Sequence, residues 1–310
     1  MKPRYDCKPR FPLIVLASIA LIGFTIGSVI ATPPQDTRRK IVSHDFTKNR
    51  REAFPQGPRD KSKTATSRPK PRTYRLASPA IKPKQSAANA IAKLGITIWR
   101  LRPGDIKDAG RRALLREKGK TSGWVAERVE ADAIFREGDY VRISVESPRT
   151  GYLYVVDRDL FADGTTGRAM LIYPWPGVDN KLHPGRLIDI PGQEDVPSYF
   201  SARLTGANQV GELLTFIVTS TPLALAISDE PSEIASGQVK DWERRWGGAN
   251  ERFELEGGAG EAWTLEEQQA AAKDGTRQLT RDDPLPQTIY RVSTPNTKGL
   301  LLNVRLRYGK

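Results

Sequence analysis

The stretch at residues 135–157, FREGDYVRISVESPRTGYLYVVD, constrains the fold of this chain more than any other. Residues 141–145 alternate between apolar and polar side chains, which is the period-two pattern of a strand with one buried face. Residues 152–156 are almost continuously apolar and rich in aromatic and β-branched residues, as is typical of a central strand. Between them, residues 147–151 provide the Pro and Gly of a turn. We therefore predict a β-hairpin at the centre of a mainly β fold.

Further short strands, separated by Gly- and Pro-rich turns, are predicted along the next part of the chain. They cover residues 96–101, 124–130, 168–173, 186–190, 199–204 and 212–220. No helical crossover is predicted between them, although residues 105–118 fit either a short helix or an ordered loop. This pattern favours an antiparallel β-sandwich, immunoglobulin-like or similar. In such a sandwich we expect one core formed by Val141, Ile143, Val145, Leu153, Val155, Leu214, Phe216 and Val218.

The pattern changes after residue 222. Residues 236–246 (SGQVKDWERRW) carry an apolar stripe at helical spacing. Thr264 and Glu267 have the spacing of a capping box, which predicts a second helix that ends at about residue 273. Strands at residues 288–292 and 300–307 then close the chain, so we predict one domain with a helical insertion and closing strands.

The N-terminus has the composition of a membrane-targeting segment. Residues 1–10 are basic, and residues 11–31 contain no charged side chain. Twenty-one such residues are long enough to span a bilayer as a helix, while Ala31 also provides a small-residue signal-peptide cleavage site. Both alternatives, a membrane anchor and a cleaved signal peptide, place the rest of the chain outside the cytoplasm, either tethered to the membrane or secreted into the periplasm.

The positive charge of the chain is concentrated in residues 32–93. This segment holds sixteen Lys or Arg and four Asp or Glu, a net charge of +12, whereas residues 94–310 carry a net charge of −2. The segment is rich in Pro and polar residues, so we predict a disordered basic linker that either contacts an anionic membrane surface or acts as a solvated spacer. Because the predicted folded domain is almost neutral, we expect no nucleic-acid partner.

Several short motifs resemble one bacterial family. They are GDYV at 138–141, GYLYVVD at 151–157, LIYP at 171–174, PGRL at 184–187, and the segment that runs from GELL at 211–214 to TPL at 221–223. In this order they resemble the bacterial domain-of-unknown-function family 4384, over roughly residues 94–226. The resemblance implies an exported β-rich module, of the kind sometimes fused to caspase-like peptidases. It implies no catalytic residue. Residues 227–310 would then hold the helical section and the last strands.

The sequence contains few candidates for chemistry. Cys7 is the only cysteine, which excludes a disulfide within the chain and a zinc site built on thiolates. No nucleophile elbow of the G-x-S-x-G type occurs, and we assign no catalytic residue. Asp157, Asp159 and Asp163 are hard oxygen ligands close together in sequence, and they fit either a calcium site or an ordinary acidic loop.

Aromatic residues provide the candidate binding surface. Tyr173, Trp175 and Tyr199 fit either a contact face for a glycan or peptide or an aromatic plug at the end of the sandwich. Trp175 stands between two prolines, which favours a loop position at the surface. We therefore predict a non-enzymatic interaction module of the bacterial cell envelope with an envelope protein or glycan as partner. The alternatives are a hydrolase or metal-dependent enzyme built from loops, and a subunit of an envelope complex.

Overall fold

Two β-sheets packed face to face form the protein, as seen in a computed structural model. The structure describes residues 43–52, 72–78, 90–104, 114–117, 120–273 and 277–309. In these residues the first sheet has nine strands: β1 (Tyr74–Leu76), β2 (Ala90–Pro103), β3 (Leu114–Glu117), β4 (Lys120–Val129), β6 (Tyr140–Glu146), β11 (Leu187–Ile190), β12 (Phe200–Ser201), β15 (Asn250–Leu255) and β16 (Thr288–Thr294). The second has eight: β5 (Ile134–Arg136), β7 (Gly151–Asp157), β8 (Asp159–Phe161), β9 (Ala169–Tyr173), β10 (Lys181–Leu182), β13 (Gln209–Thr219), β14 (Ser232–Ile234) and β17 (Gly299–Gly309).

The strand order shows which strands lie at the edges of each sheet. The first sheet runs β1-β15-β16-β2-β4-β3, and β6 pairs with β2 and carries β11 and β12. The second runs β14-β9-β7-β13-β17-β5, with β10 beside β7 and β8 beside β13. The strand pairs described are antiparallel except β5 with β17, which is parallel. The predicted mainly β sandwich is therefore confirmed.

The core between the sheets is the predicted one. All eight residues expected to share it belong to one buried cluster, in which Val145, Leu153 and Phe216 are fully buried. They alternate along β6, β7 and β13 because every second side chain of a strand points to the same face.

Strands β6 and β7, which were predicted to form the central hairpin, do not pair with each other. β6 pairs with β2, β11 and β12 in the first sheet, whereas β7 pairs with β9, β10 and β13 in the second. The turn at residues 147–150 therefore crosses from one sheet to the other. Period-two patterning predicts that a segment is a strand, but it carries no information about the partner strand.

Helices cover the outer faces of both sheets. Helix α1 (described over residues 43–49) and helix α3 (Leu265–Ala270) lie on the first sheet, and α2 (Ser236–Trp246) lies on the second. The boundaries of α2 agree with the prediction, and Val239 and Trp242 of its apolar stripe are buried. The predicted capping box is present between Thr264 and Glu267, but α3 ends at Ala270, three residues before its expected end.

Part of the predicted disordered linker belongs to the fold. Strand β1 pairs with β15 at the edge of the first sheet, and Tyr74 in it is fully buried. Phe46 of α1 packs in the same cluster as Tyr74. The prediction of disorder was wrong for residues 43–52 and 72–78, because two isolated aromatic side chains can anchor a polar segment without a periodic pattern. Residues 90–93, also predicted as linker, form the beginning of strand β2, so the prediction of disorder was wrong there as well. The remaining residues of the linker lie outside the described part of the chain.

No helix in the described part of the chain has the length and apolar composition needed to cross a bilayer. The anchor or signal peptide predicted at residues 1–31, like residues 105–113 of the uncertain helix or loop, lies outside that part. Residues 114–117, at the end of the same segment, form strand β3 rather than a helix.

Candidate functional site

Two loops meet at the side of the sandwich where β9 and β11 lie near the edges of their sheets. Trp175 lies in the first loop, directly after β9, and its indole Nε1–H donates a hydrogen bond of 3.1 Å to Oδ2 of Asp195 in the second. The Trp175 ring also meets the Tyr173 ring edge-on, with centroids 5.7 Å apart. These two contacts, together with packing against the core between the sheets, hold the half-buried indole in place with part of the ring at the surface.

The second loop is fixed by its own hydrogen bonds. The backbone N–H of Gly192 donates to Asp195 Oδ2 at 2.6 Å, so one carboxylate oxygen holds both the turn and the indole. Gln193 Nε2 donates to the backbone carbonyl of Gln268 at 2.7 Å, which ties the loop to α3. The three cis X-Pro peptide bonds seen in the described residues precede Pro174, Pro191 and Pro197, all in or beside these two loops.

An exposed aliphatic residue completes this surface. Val196 follows Asp195 directly, and with 58% of its surface exposed it is the most exposed large hydrophobic residue in the described part of the chain. Pro176 and Pro197 are also exposed. We call the surface formed by Trp175, Pro176, Val196 and Pro197 the edge patch. Such rigid, solvent-facing apolar groups are typical of contact surfaces.

The other two predicted aromatic residues do not join the edge patch. Tyr173 is only 2% exposed and packs in the core, where burial raises the pKa of its hydroxyl. The Tyr199 ring packs against the Tyr140 ring, tilted by 35° and with centroids 4.2 Å apart, in a separate aromatic cluster on the outer face of the first sheet. The structure therefore does not bring the three predicted aromatic residues together, because Tyr173 packs in the core and Tyr199 belongs to this separate cluster.

The predicted metal ligands are also divided. The exposed Asp163 uses Oδ1 to accept hydrogen bonds from the backbone and hydroxyl of Thr165, at 2.9 and 2.7 Å. These contacts lower the Asp163 pKa. Asp159 instead lies opposite Glu212 where β8 pairs with β13. In the residues that the structure describes, no group of three or more His, Cys, Asp or Glu side chains could hold a metal ion, so the predicted calcium site has no support there.

Asp157 and Asp159 instead form part of an acidic group that the sequence did not reveal. Asp157 and Glu212 lie on the inner face of the second sheet, where the apolar core ends, and Glu212 is hydrogen-bonded to Tyr308. Burial, together with the negative charges of Glu212 and Asp159, raises the pKa of Asp157 to about 8. Burial is also the main cause of the raised Glu212 pKa. We call Asp157, Asp159 and Glu212 the acidic end.

A buried polar network lies on the outer face of the first sheet. The Arg142 guanidinium contacts Asp189 at 3.0 Å, and Ser144 Oγ donates to the same carboxylate at 2.5 Å. Trp99 Nε1 donates to Ser144 at 2.7 Å. Burial lowers the Arg142 pKa and raises the Asp189 pKa, and the ion pair offsets part of both desolvation costs. The alternation along β6 predicts one buried face, but the polar side chains on its other face, Arg142 and Ser144, are buried as well.

Comparisons with family models, with curated proteins and with solved structures find no match to this chain. The resemblance to the bacterial family named above stays a prediction.

Proposed function

We propose that this protein is a non-enzymatic interaction module of the bacterial cell envelope that binds a partner through the edge patch. The observation that carries the proposal is the Trp175 indole, which two contacts fix at the surface beside the exposed Val196. Rigid aromatic side chains make effective anchors because little conformational entropy is lost when they bind. The envelope location rests on the composition of residues 1–31.

The carboxylate of Asp195 refines the kind of partner. Oδ2 of this carboxylate accepts hydrogen bonds from the Trp175 indole and from the Gly192 amide. The edge patch therefore combines an apolar surface with a negative charge at its base. A protein segment with an apolar side chain next to a basic or amide donor would fit this arrangement, and so would a sugar stacked on the indole. We favour the protein segment because Val196 extends the apolar area beyond one ring.

The test is capture of partners from envelope extract by the full chain in mild detergent. We expect Trp175→Ala and Val196→Asp to weaken the affinity for the captured partner. Truncating a central Trp anchor typically costs about 2 kcal/mol or more, which corresponds to a roughly 30-fold weaker Kd. Trp246→Ala is a matched control, since this half-buried tryptophan lies on α2 and packs against the second sheet.

Thermal melts of the variants control for folding. Identical partners and affinities for wild type and Trp175→Ala, both cooperatively folded, would contradict the proposal. Loss of a glycan fraction in place of a protein would reassign the partner. Turnover of an ester, glycoside or peptide library by the wild type would support the enzyme alternative.

A further inference from the structure

A cleft opens at the end of the sandwich where four strands meet. It lies between the beginnings of β2 and β17 and the ends of β13 and β16, and the crossing at residues 147–150 forms one wall. Its volume is about 70 Å³. One water needs only about 10–15 Å³ on the same measure, so the cleft has room for a tetrahedral oxyanion with water.

The cleft is lined by positive charge. Lys93, Arg149 and Lys298 line it, and no Asp or Glu is found among its described lining residues. Arg149 and Lys298 are exposed, so both cations reach an entering ligand without first breaking a buried pair. This distinguishes the cleft from the folded part as a whole, since residues 94–310 carry a net charge of −2.

The loops that carry these cations are held in place. Ser147 Oγ accepts a hydrogen bond from the Arg149 N–H at 3.1 Å, and Asn296 Oδ1 accepts one from the Lys298 N–H at 2.9 Å. The Lys298 carbonyl in turn accepts from the Ser220 N–H at 2.9 Å, which joins the two loops of the second sheet. The hydroxyl-bearing side chains of Thr150, Ser220 and Thr297 also line the cleft. Cations and hydroxyl donors on fixed loops are the groups that bind phosphate-type oxyanions.

Helix α1 contacts two of the segments that form the cleft. Asp45 Oδ2 lies 2.7 Å from the Lys93 ammonium, and Asn49 Nδ2 donates to the Pro148 carbonyl at 3.1 Å. A carboxylate next to Lys93 lowers the positive potential of the cleft. Helix α1 therefore both supports the wall of the cleft and partly neutralises it.

We propose that this cleft is a binding site for a phosphate-type oxyanion, held by Arg149 and Lys298 with Lys93 as a third cation that Asp45 attenuates. The shared ligand chemistry is a phosphate group, either as free phosphate or as the headgroup of an anionic phospholipid. This site shares no residue with the edge patch, so its test is independent of the test of the function proposed above.

The experiment is isothermal titration of the full chain, in an uncharged detergent, with inorganic phosphate. We expect saturable binding that weakens as NaCl is raised, because exposed charges are screened over about 10 Å at 0.1 M salt. Arg149→Gln combined with Lys298→Gln should weaken binding about tenfold, since each of the two exposed charge contacts that are lost contributes about threefold. The matched control, Arg136→Gln with Lys240→Gln, removes the same two charges from exposed positions outside the cleft lining and should bind as wild type does.

A substitution that is expected to tighten phosphate binding tests the role of α1. Asp45→Asn removes the carboxylate beside Lys93 and should tighten phosphate binding up to about fivefold. A general loss of structure would weaken binding, so this increase separates an electrostatic role of Asp45 from a structural one.

Two arms separate the sources of the phosphate group. Mixed micelles with short-chain phosphatidylglycerol or phosphatidylcholine replace inorganic phosphate as the titrant. Tighter binding of phosphatidylglycerol than of phosphate assigns the site to a lipid headgroup, and the reverse order assigns it to free phosphate. No saturable heat at millimolar concentrations of either probe, or equal binding by wild type and the double variant, would overturn the proposal.

Discussion

Arg50 is the residue whose removal most directly tests whether the N-terminal helix belongs to the fold. It lies at the end of α1, is only 2% exposed, and forms a two-pronged ion pair with Glu146 of β6, with contacts of 2.8 and 2.6 Å. The same guanidinium donates to the backbone carbonyls of Thr280, Asp283 and Pro284. Burial lowers the Arg50 pKa, but Glu146 more than offsets this, so the Arg50 pKa lies above its ordinary value.

Arg50→Ala would leave the buried Glu146 carboxylate and three carbonyl groups without this donor. Breaking a buried ion pair by removing one partner typically costs about 3–5 kcal/mol. A domain of this size loses about 2–4 °C of Tm per kcal/mol, so we expect Tm to fall by roughly 6–20 °C. Differential scanning calorimetry of the full chain in detergent measures this change directly.

The neighbouring Arg51 is a matched control, because its side chain is exposed. Arg51→Ala should shift Tm by no more than a degree or two. Arg50→Met combined with Glu146→Met should recover part of the lost stability, since it leaves no buried charge unpaired, although the three carbonyl groups still lack their donor. Equal small effects of Arg50→Ala and Arg51→Ala would refute the docking of α1 on the first sheet.

Two further predictions concern the core and the acidic end. Phe216→Ala should cost about 3–5 kcal/mol of unfolding free energy in urea, because Phe216 is fully buried between the sheets; an unchanged midpoint would contradict its place in the core. Asp157→Asn should stabilise the protein at pH 8 but not at pH 4, as followed by urea unfolding across that pH range.

The sequence predicted those elements whose pattern is local. Helix α2 was predicted at its observed boundaries because its apolar stripe lies within one continuous segment. The capping box of α3 was predicted because both partners, Thr264 and Glu267, are three residues apart. The core positions of β6, β7 and β13 followed from alternation alone.

Features that depend on distant partners could not be predicted in this way. Arg50 finds Glu146 across 96 residues, and nothing in a basic segment distinguishes this arginine from solvated ones. Trp175 was predicted at a loop surface from its two prolines, but the acceptor Asp195 lies twenty residues away. The sequence could indicate that the Trp175 ring is exposed. It could not indicate that the loop with Asp195 lies next to this ring and forms the edge patch with it.

Tyr173 shows a different limit. Tyr173 and Leu171 are two residues apart, a spacing that places both side chains on the same face of a regular strand. The register of β9 against β7 shifts between these two positions, so Leu171 packs against α2 while Tyr173 packs in the core between the sheets, and no periodic pattern in the sequence reveals such a shift.

Because of the acidic end, we expect the stability of the folded protein to fall as pH rises. The Asp157 pKa is about 8 in the folded protein and about 3.9 in an unfolded chain, so the folded state binds the extra proton between these values. Its contribution to stability is therefore complete below about pH 4 and is lost as pH rises through 8. Each pH unit in this window corresponds to about 1.4 kcal/mol at most, so the total is on the order of a few kcal/mol.

Asp157→Asn mimics the protonated acid at every pH, so its advantage over wild type should grow from about zero at pH 4 to that total at pH 8. Asp163→Asn is the control, since Asp163 is exposed and its pKa is lowered by Thr165. A constant difference between Asp157→Asn and wild type from pH 4 to pH 8 would show that Asp157 is ionised throughout. The inner face of the second sheet would then have to admit water at the acidic end.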